Sequence, residues 1–392
     1  MEQTNVNHHW RFWPVMCLAI LYPINYSLIY LAIPLYFFNI GTEIHVIGFL
    51  VAGTTMAYCF SPLLLSKIGE RLGRRKSIII ALSGVSLAQI IFYFTLEPSY
   101  FLISRVCEGF VTGLYWSSLQ SSISDTSLKK QDAYLSRFNF SWTFGTLIGF
   151  LTGAILLFNF EDVEFIFHVA PLLIFLNLFI AIIFFQEPVK EVNHDLLSQG
   201  TDQNTSSNHL RVQTTVILFI LFIISYGLAK NSTNFLYPLK SEIIGFDSYT
   251  VYLLAFFALI SQVIATSLAS YLNLNTLKKL TVMSLTSLIV INIILGFNYN
   301  FFIFIILFFF VGFFAGILYA CGLKLSIMLN FEKNTSKYSS IIESMMGVIF
   351  LIAPIFSGYI ASINLALSFY IISITLIFML ILSLYFMKKM QV

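Results

Sequence analysis

Long apolar runs separated by short polar stretches set the pattern of the chain. Twelve of them reach or approach the roughly twenty residues a helix needs to cross ~30 Å of hydrocarbon at ~1.5 Å per residue. They run from Trp13 to Phe38, Val46 to Leu65, Ser77 to Leu96, Tyr100 to Ser124, Phe138 to Phe158 and Phe165 to Phe185. After a polar gap come Thr214 to Leu239, Ser248 to Leu272, Leu280 to Leu295, Phe301 to Leu329, Ser339 to Ile363 and Leu365 to Met387. The ninth is the shortest. This pattern predicts an all-α, polytopic membrane protein with twelve transmembrane helices.

Composition agrees. Apolar residues make up 58% and charged residues only 10%, and the mean hydropathy is +0.87, whereas a soluble domain is nearer a quarter charged. The net charge of +3 does not point to nucleic acid, because the cations fall in short loops beside the spans. Cys17, Cys59, Cys107 and Cys321 lie far apart inside apolar runs and read as packing residues. The six histidines (8, 9, 45, 168, 194 and 209) have no metal-ligand spacing, so neither metal nor cofactor is expected. The polar first ten residues lack a signal pattern, and the first apolar run is too long for a signal core, so its helix is expected to stay.

The cations set the topology, since cytoplasmic flanks hold the excess of Lys and Arg. Arg11, Lys129, Lys130, Arg137, Lys190, Arg211, Lys278, Lys279, Lys333, Lys337, Lys388, Lys389 and five residues of the first loop share one side, and Lys240 alone is assigned to the other. Both termini are therefore expected in the cytoplasm, with the protein in the plasma membrane. Residues 187–213 are polar, with Gln-Gly-Thr-Asp-Gln-Asn-Thr-Ser-Ser-Asn at their middle, a connector between six helices in 1–186 and six in 214–392. A faint repeat at an offset of 204 links the halves: Pro34-Leu35 with Pro238-Leu239, Ile40-Gly41 with Ile244-Gly245, and Arg74-Arg75 with Lys278-Lys279. Gly109 and Gly113 match Gly312 and Gly316 after a one-residue slip. Two related six-helix bundles with a solute site between them are the arrangement of many secondary transporters.

Ser66 to Lys76 is a basic island in which five of eleven residues are cationic, read as a cytoplasmic hairpin loop between the second and third helices. Its Glu70-Arg71-Leu72-Gly73-Arg74-Arg75 resembles the signature loop of the major facilitator superfamily, with Ser66 in place of the first glycine and Glu70 in place of aspartate. Arg105-Val-Cys-Glu108-Gly109 in the fourth helix is similar to a second motif of that family, with Glu108 in place of glutamine. The resemblance spans nearly the whole chain and implies two pseudo-symmetric bundles. It also implies a cytoplasmic gate that includes Glu70, Arg71, Gly73 and Arg74, in which Glu70 meets the start of the eleventh helix and Arg74 pairs with an acid ending the fourth, here Asp125. Lys324 and Glu343, near the inner ends of the tenth and eleventh helices, are candidates for a second latch.

Ionisable groups inside a membrane cost about 2.5 to 3.5 kcal/mol on the insertion scale and are functional candidates by default. Arg105, Glu108, Thr112 and Trp116 share one helical face by their spacings of three and four, and Glu108 is the candidate for carrying a coupling proton. Lys230 is ten residues from Lys240, too deep to reach an interface easily. With Asn231 and Asn234 beside it, and Asn25, Tyr26 and Tyr30 on the first helix, it forms the best polar patch for a solute. Its plainer role is an ion pair with an acid such as Glu108. Trp116, Trp142 and Tyr319, with Tyr115, lie on helices that carry polar groups and are candidates for contact with an aromatic solute. Gly145, Gly149 and Gly153 read as a packing ladder on the fifth helix.

These features predict a secondary active transporter of a small organic solute, working by alternating access as a monomer in the bilayer and coupled to protons. A drug/proton antiporter exporting hydrophobic compounds is the alternative; the fifth helix has Ile148-Gly149-Phe150 without the proline of the family's exporter motif. A transport-inactive receptor or scaffold is the alternative of another class. No phosphate-binding loop or hydrolase motif marks an enzyme. The five interior ionisable candidates (Arg105, Lys230 and Lys324 against Glu108 and Glu343) sum to +1 and favour an anionic or neutral solute.

Overall fold

A computed structural model describes residues 11–124, 128–187, 206–333 and 337–390. The first half comprises α1 (Trp13–Asn39), α2 (Ile44–Tyr58), α3 (Ser61–Leu72), α4 (Arg74–Ile90), α5 (Pro98–Ser124), α6 (Leu128–Phe160) and α7 (Glu164–Phe184). The second comprises α8 (Ser206–Asn231), α9 (Tyr237–Ile244), α10 (Ser248–Tyr271), α11 (Leu274–Phe297), α12 (Phe301–Lys333), α13 (Lys337–Ile363) and α14 (Leu365–Met390). Because α2 with α3, and α8 with α9, each make one crossing, the fold is all-α with twelve transmembrane helices in two pseudo-symmetric six-helix bundles. Ten of the described helices are long and apolar enough to span, and Ile44–Tyr58 is a shorter apolar one.

Several expectations change. The basic island is not an open loop: α3 runs through Leu72, α4 starts at Arg74, and Gly73 alone separates them. The second crossing breaks at Cys59 and Phe60 because Pro62, in the first turn of α3, has no N–H to continue the α2 ladder. The ninth crossing is full length, since Lys278 and Lys279 lie within α11 rather than before it. Lys240 is only 4% exposed and is no loop cation. Its Nζ donates to the carbonyls of Leu295 at 2.5 Å and Gly296 at 2.9 Å, satisfying the end of α11. Of the four cysteines, Cys107 is exposed rather than packed inside.

The repeat is visible as contacts. A Cβ on Gly109 would strike the carbonyl of Thr54, and one on Gly312 would strike that of Ala258, the residue 204 positions after Thr54. Gly113 and Gly316 meet Ser61 and Ala265 in the same relation. The crossing of α2 and α3 with α5 is thus repeated by α10 with α12. Gly41 and Gly245 end matching helices with φ of +80° and +82°.

The bundles meet most extensively along two pairs of helices, and α1 also lies against α9 and α10, where the Tyr252 hydroxyl donates to the Leu28 carbonyl. On one side α2 packs on α13, with Gly48 against the Pro354 carbonyl, Thr55 Oγ1 donating to the Phe350 carbonyl at 3.2 Å, and His45 stacked on Tyr359 at 5.4 Å. On the other, α6 packs on α10 through Gly153 against Tyr252 and Phe158 against Tyr249. Gly145 and Gly149 lie against Ile20, Ile24 and Ser27 of α1, so the ladder is used for close packing.

Candidate functional site

The deepest charges sit on α5. Arg105 Nη1 donates to Glu108 Oε2 at 2.5 Å, and both side chains are 0% exposed. The i, i+3 spacing places them on one helical face, and Gly53 lets α2 close over the pair. This pairing removes the plainer role for Lys230, because its proposed acid is taken by Arg105. The pair is only partly satisfied: among the described residues Arg105 Nε and Nη2 are buried without hydrogen-bond partners, while the Gln89 amide lies within reach of the Glu108 carboxylate. In native proteins such groups are few.

Around the pair stand side chains of α1. The Arg105 guanidinium lies 6.0 Å from the Tyr26 ring centre, within cation–π range, and Tyr26 stacks on Tyr30 at 5.5 Å. Tyr22 shares a 2.6 Å hydrogen bond with the Thr112 hydroxyl, which donates to the Glu108 carbonyl at 2.7 Å. Trp116, half-buried, sets its ring edge against Tyr22 at 5.4 Å.

In the other half Lys230 is 8% exposed; its carbonyl accepts from Thr233 Oγ1 at 3.0 Å, and no hydrogen bond or ion pair joins its ammonium group to a described residue. One turn before it on the same face, Tyr226 packs against Tyr319 at 5.0 Å and accepts from Gln262 Nε2 at 3.3 Å. Tyr226 and Tyr30 are both buried members of one hydrophobic cluster that runs through the two halves. The helix then passes through a π-helical turn at Ser232–Leu236, a rare form common at functional sites.

Several candidates lie elsewhere. Asn25 is 0% exposed, and its amide exchanges hydrogen bonds with Gln89 at 2.9 and 3.0 Å and donates to the Ala170 carbonyl at 2.7 Å. Its polarity is consumed within the first bundle, not at the seam. Asn231 turns to α13 and donates to Ser357 Oγ at 3.0 Å, since successive helical residues point about 100° apart. Asn234, in the π turn, accepts from Thr233 Oγ1 at 3.2 Å. Trp142 is 45% exposed and joins none of the ring contacts above. Tyr22, Gln89, Tyr226 and Gln262 were not among the expected residues; Tyr226 was detectable as the residue one turn before Lys230, and Tyr22 as its partner 204 positions earlier.

Only part of the expected gate falls among the described residues. Glu70 and Arg71 are exposed at the end of α3. The Glu187 carboxylate accepts from the Arg74 and Arg75 backbone N–H groups at 2.6 and 2.7 Å, where α4 begins beside Gly73, and Arg75 Nη2 donates to the Ile182 carbonyl at 2.7 Å. A carboxylate belongs at such a positive helix end. Asp125 and the side chain of Glu343 lie outside the described residues. Lys324 Nζ donates to the Leu272 carbonyl at 2.5 Å, next to the end of α10.

A cleft of about 190 Å³ lies between α8, α13 and α14, lined mostly by apolar residues such as Leu228, Ile349 and Phe356, with Asn231 and Ser357 among them. It contains neither Arg105 nor Lys230, so buried charge, not volume, locates the candidate site.

Two repeated six-helix halves with charged side chains buried among their helices define a polytopic α-helical membrane protein. The sequence pattern of the Major Facilitator Superfamily matches residues 15–291 and 268–391, and the chain belongs to that superfamily. No curated protein matches the sequence. Among solved structures, the nucleoside transporter NupG is similar at 13% identity, with a TM-score of 0.71 over 96% of this chain and 98% of that one. A bacterial homolog of the human lysosomal transporter Spinster, inward-facing and occupied, is similar at 12% identity, with a TM-score of 0.74 over 96% and 95%. The human organic anion transporter MFSD10 (TETRAN) is similar at 15% identity, with a TM-score of 0.65 over 95% and 98%. At these identities the likeness establishes the fold.

Proposed function

We propose that the protein is a secondary active transporter that moves a small organic solute by alternating access, with the solute held at the seam between Arg105, Tyr26 and Tyr30 of one bundle and Lys230, Tyr226 and Tyr319 of the other. The observation that carries this reading is the fully buried Arg105–Glu108 pair with two guanidinium nitrogens left without partners among the described residues. A static scaffold gains nothing from that desolvation cost, whereas a solute that completes the hydrogen bonds gives it a use. Glu108 is the group proposed to carry the coupling proton. The seam contacts of α6 with α10 lie towards the end of the molecule that holds Gly41 and Gly245, away from Gly73. This supports a form closed at that end, which the positive-inside pattern assigns to the outside.

Reconstitution tests the proposal. In proteoliposomes with an internal pH dye, a metabolite panel should include a solute whose addition moves protons. Glu108→Gln should abolish that proton movement while one-for-one solute exchange continues. Solute uptake insensitive to both the pH gradient and Glu108→Gln would overturn the proton role. A ligand that binds without any flux would favour the receptor reading.

A further inference from the structure

The charge and hydrogen-bonding inventory of the seam restricts what it can hold. Arg105 is neutralised by Glu108 on its own helix. Lys230 has no such acid: between Asp247 and Glu332 the chain contains no acidic residue at all. Glu242, the acid nearest in sequence on the same crossing, is twelve positions further on, about 18 Å at helical rise, and accepts from Ser248 Oγ at 2.8 Å. A buried cation without a counter-charge is costly. In the first half Arg105 Nε and Nη2 are donors with no acceptor among the described residues. Both bundles thus offer unanswered donors. The walls between them are flat rings: Tyr26 stacked on Tyr30, and Tyr226 packed on Tyr319.

We infer that the seam is built for an organic monoanion, a carboxylate joined to a flat apolar or aromatic body, with the carboxylate drawn to Lys230 and the free donors of Arg105 and the body between the tyrosine pairs. This rests on the transport site proposed above and assigns its substrate class. The lone lysine is then the charge that the solute neutralises. A cationic solute would add a second unpaired positive charge, and a neutral one would leave Lys230 unanswered.

The test uses the purified full chain in lipid nanodiscs and four compounds of one shape: 3-phenylpropanoate, 3-phenylpropanamide, 3-phenylpropylammonium and phenylalanine. Affinity is read by calorimetry and by the rise in thermal midpoint. The carboxylate should bind at least tenfold more tightly than the amide or the ammonium compound. Lys230→Gln should lower carboxylate affinity at least tenfold and leave the amide unchanged, and Lys230→Arg should retain most of the carboxylate preference. Equal binding of amide and carboxylate, tighter binding of the ammonium compound or phenylalanine, an unaltered ratio in Lys230→Gln, or no carboxylate binding would overturn the inference. Carboxylate binding without flux would remove the transport reading and leave the anion site standing. Flux of an ammonium compound unaffected by Lys230→Gln would do the reverse.

Discussion

The two halves share a scaffold and differ in their charges. Tyr22, Tyr26 and Tyr30 on α1 correspond, 204 positions on, to Tyr226, Lys230 and Asn234 on the crossing formed by α8 and α9. Arg105 and Glu108 on α5 correspond, with the one-residue slip, to Phe308 and Val311 on α12. The first half therefore places its charges as a compensated pair on its fourth crossing, and the second places two lysines on its first, Lys240 held by the carbonyls that end α11 and Lys230 with no partner for its ammonium group among the described residues. The close contacts of Gly109 and Gly113 are kept at Gly312 and Gly316, and Tyr22 is kept at Tyr226, but Tyr26, Tyr30, Arg105 and Glu108 are not. Packing constrains both copies alike, while the seam is free to become asymmetric around one bound molecule.

Removing half of the compensated pair should have the largest effect. Arg105→Ala leaves the Glu108 carboxylate buried and alone, and breaking such a pair costs about 3 to 5 kcal/mol, so the thermal midpoint in detergent should collapse. The joint change Arg105→Met with Glu108→Leu should recover most of that stability, because apolar replacement of a whole buried pair is often neutral or better. If the single and double variants unfold together, the pair is not the compensated unit described here.

The second half should respond with the opposite sign. The Lys230 ammonium has no partner among the described residues to orphan, so Lys230→Met should raise the thermal midpoint, gaining on the order of 1 to 3 kcal/mol, the cost of an unsatisfied buried polar group. A fall would mean that Lys230 is already neutralised within the protein.

Sequence reasoning reached the helices more easily than the partners. Twelve crossings were legible because apolar run length is a property of the chain alone. The break before Ser61-Pro62 was also written in the chain, but continuous hydropathy across Cys59 and Phe60 hid it. Asn25 was misplaced for a different reason. A polar residue in an apolar run signals that a partner exists without saying where, and the partner here is Gln89, 64 residues away. Arg105 with Glu108 was readable because helical spacing fixes both ends of the pair. The π turn at Ser232–Leu236 has no comparable signature, so the phase change after Lys230 could not be anticipated.

Where the halves remain alike, matched substitutions should match. Gly41 and Gly245 both have φ near +80°, and a Cβ added at either would have nothing within 4 Å, so only backbone strain opposes alanine. Gly41→Ala and Gly245→Ala should each cost about 1 to 2 kcal/mol, the left-handed penalty for an L-residue, measured by chemical unfolding. Unequal costs would show that these two turns have diverged as the seam has.

The smallest effects are expected where the halves solve one problem differently. The junction of α3 with α4 is capped from a distance by Glu187, whereas α11 is capped by its own Asn273, whose Oδ1 accepts from the Thr276 N–H at 2.9 Å. Asn273→Ala should cost about 1 kcal/mol, typical of a lost N-cap, and should speed hydrogen exchange at Thr276 only. Glu187→Gln keeps an oxygen acceptor but loses the charge at the helix start, worth about 0.3 to 1 kcal/mol. Its exchange effect should reach beyond Arg74 and Arg75 to the last turn of α7, because Glu187 and the Arg75 bond to Ile182 tie that turn to the junction. Exchange confined to Arg74 and Arg75 would make Glu187 a local cap like Asn273, and the two junctions would then differ in residue type but not in reach.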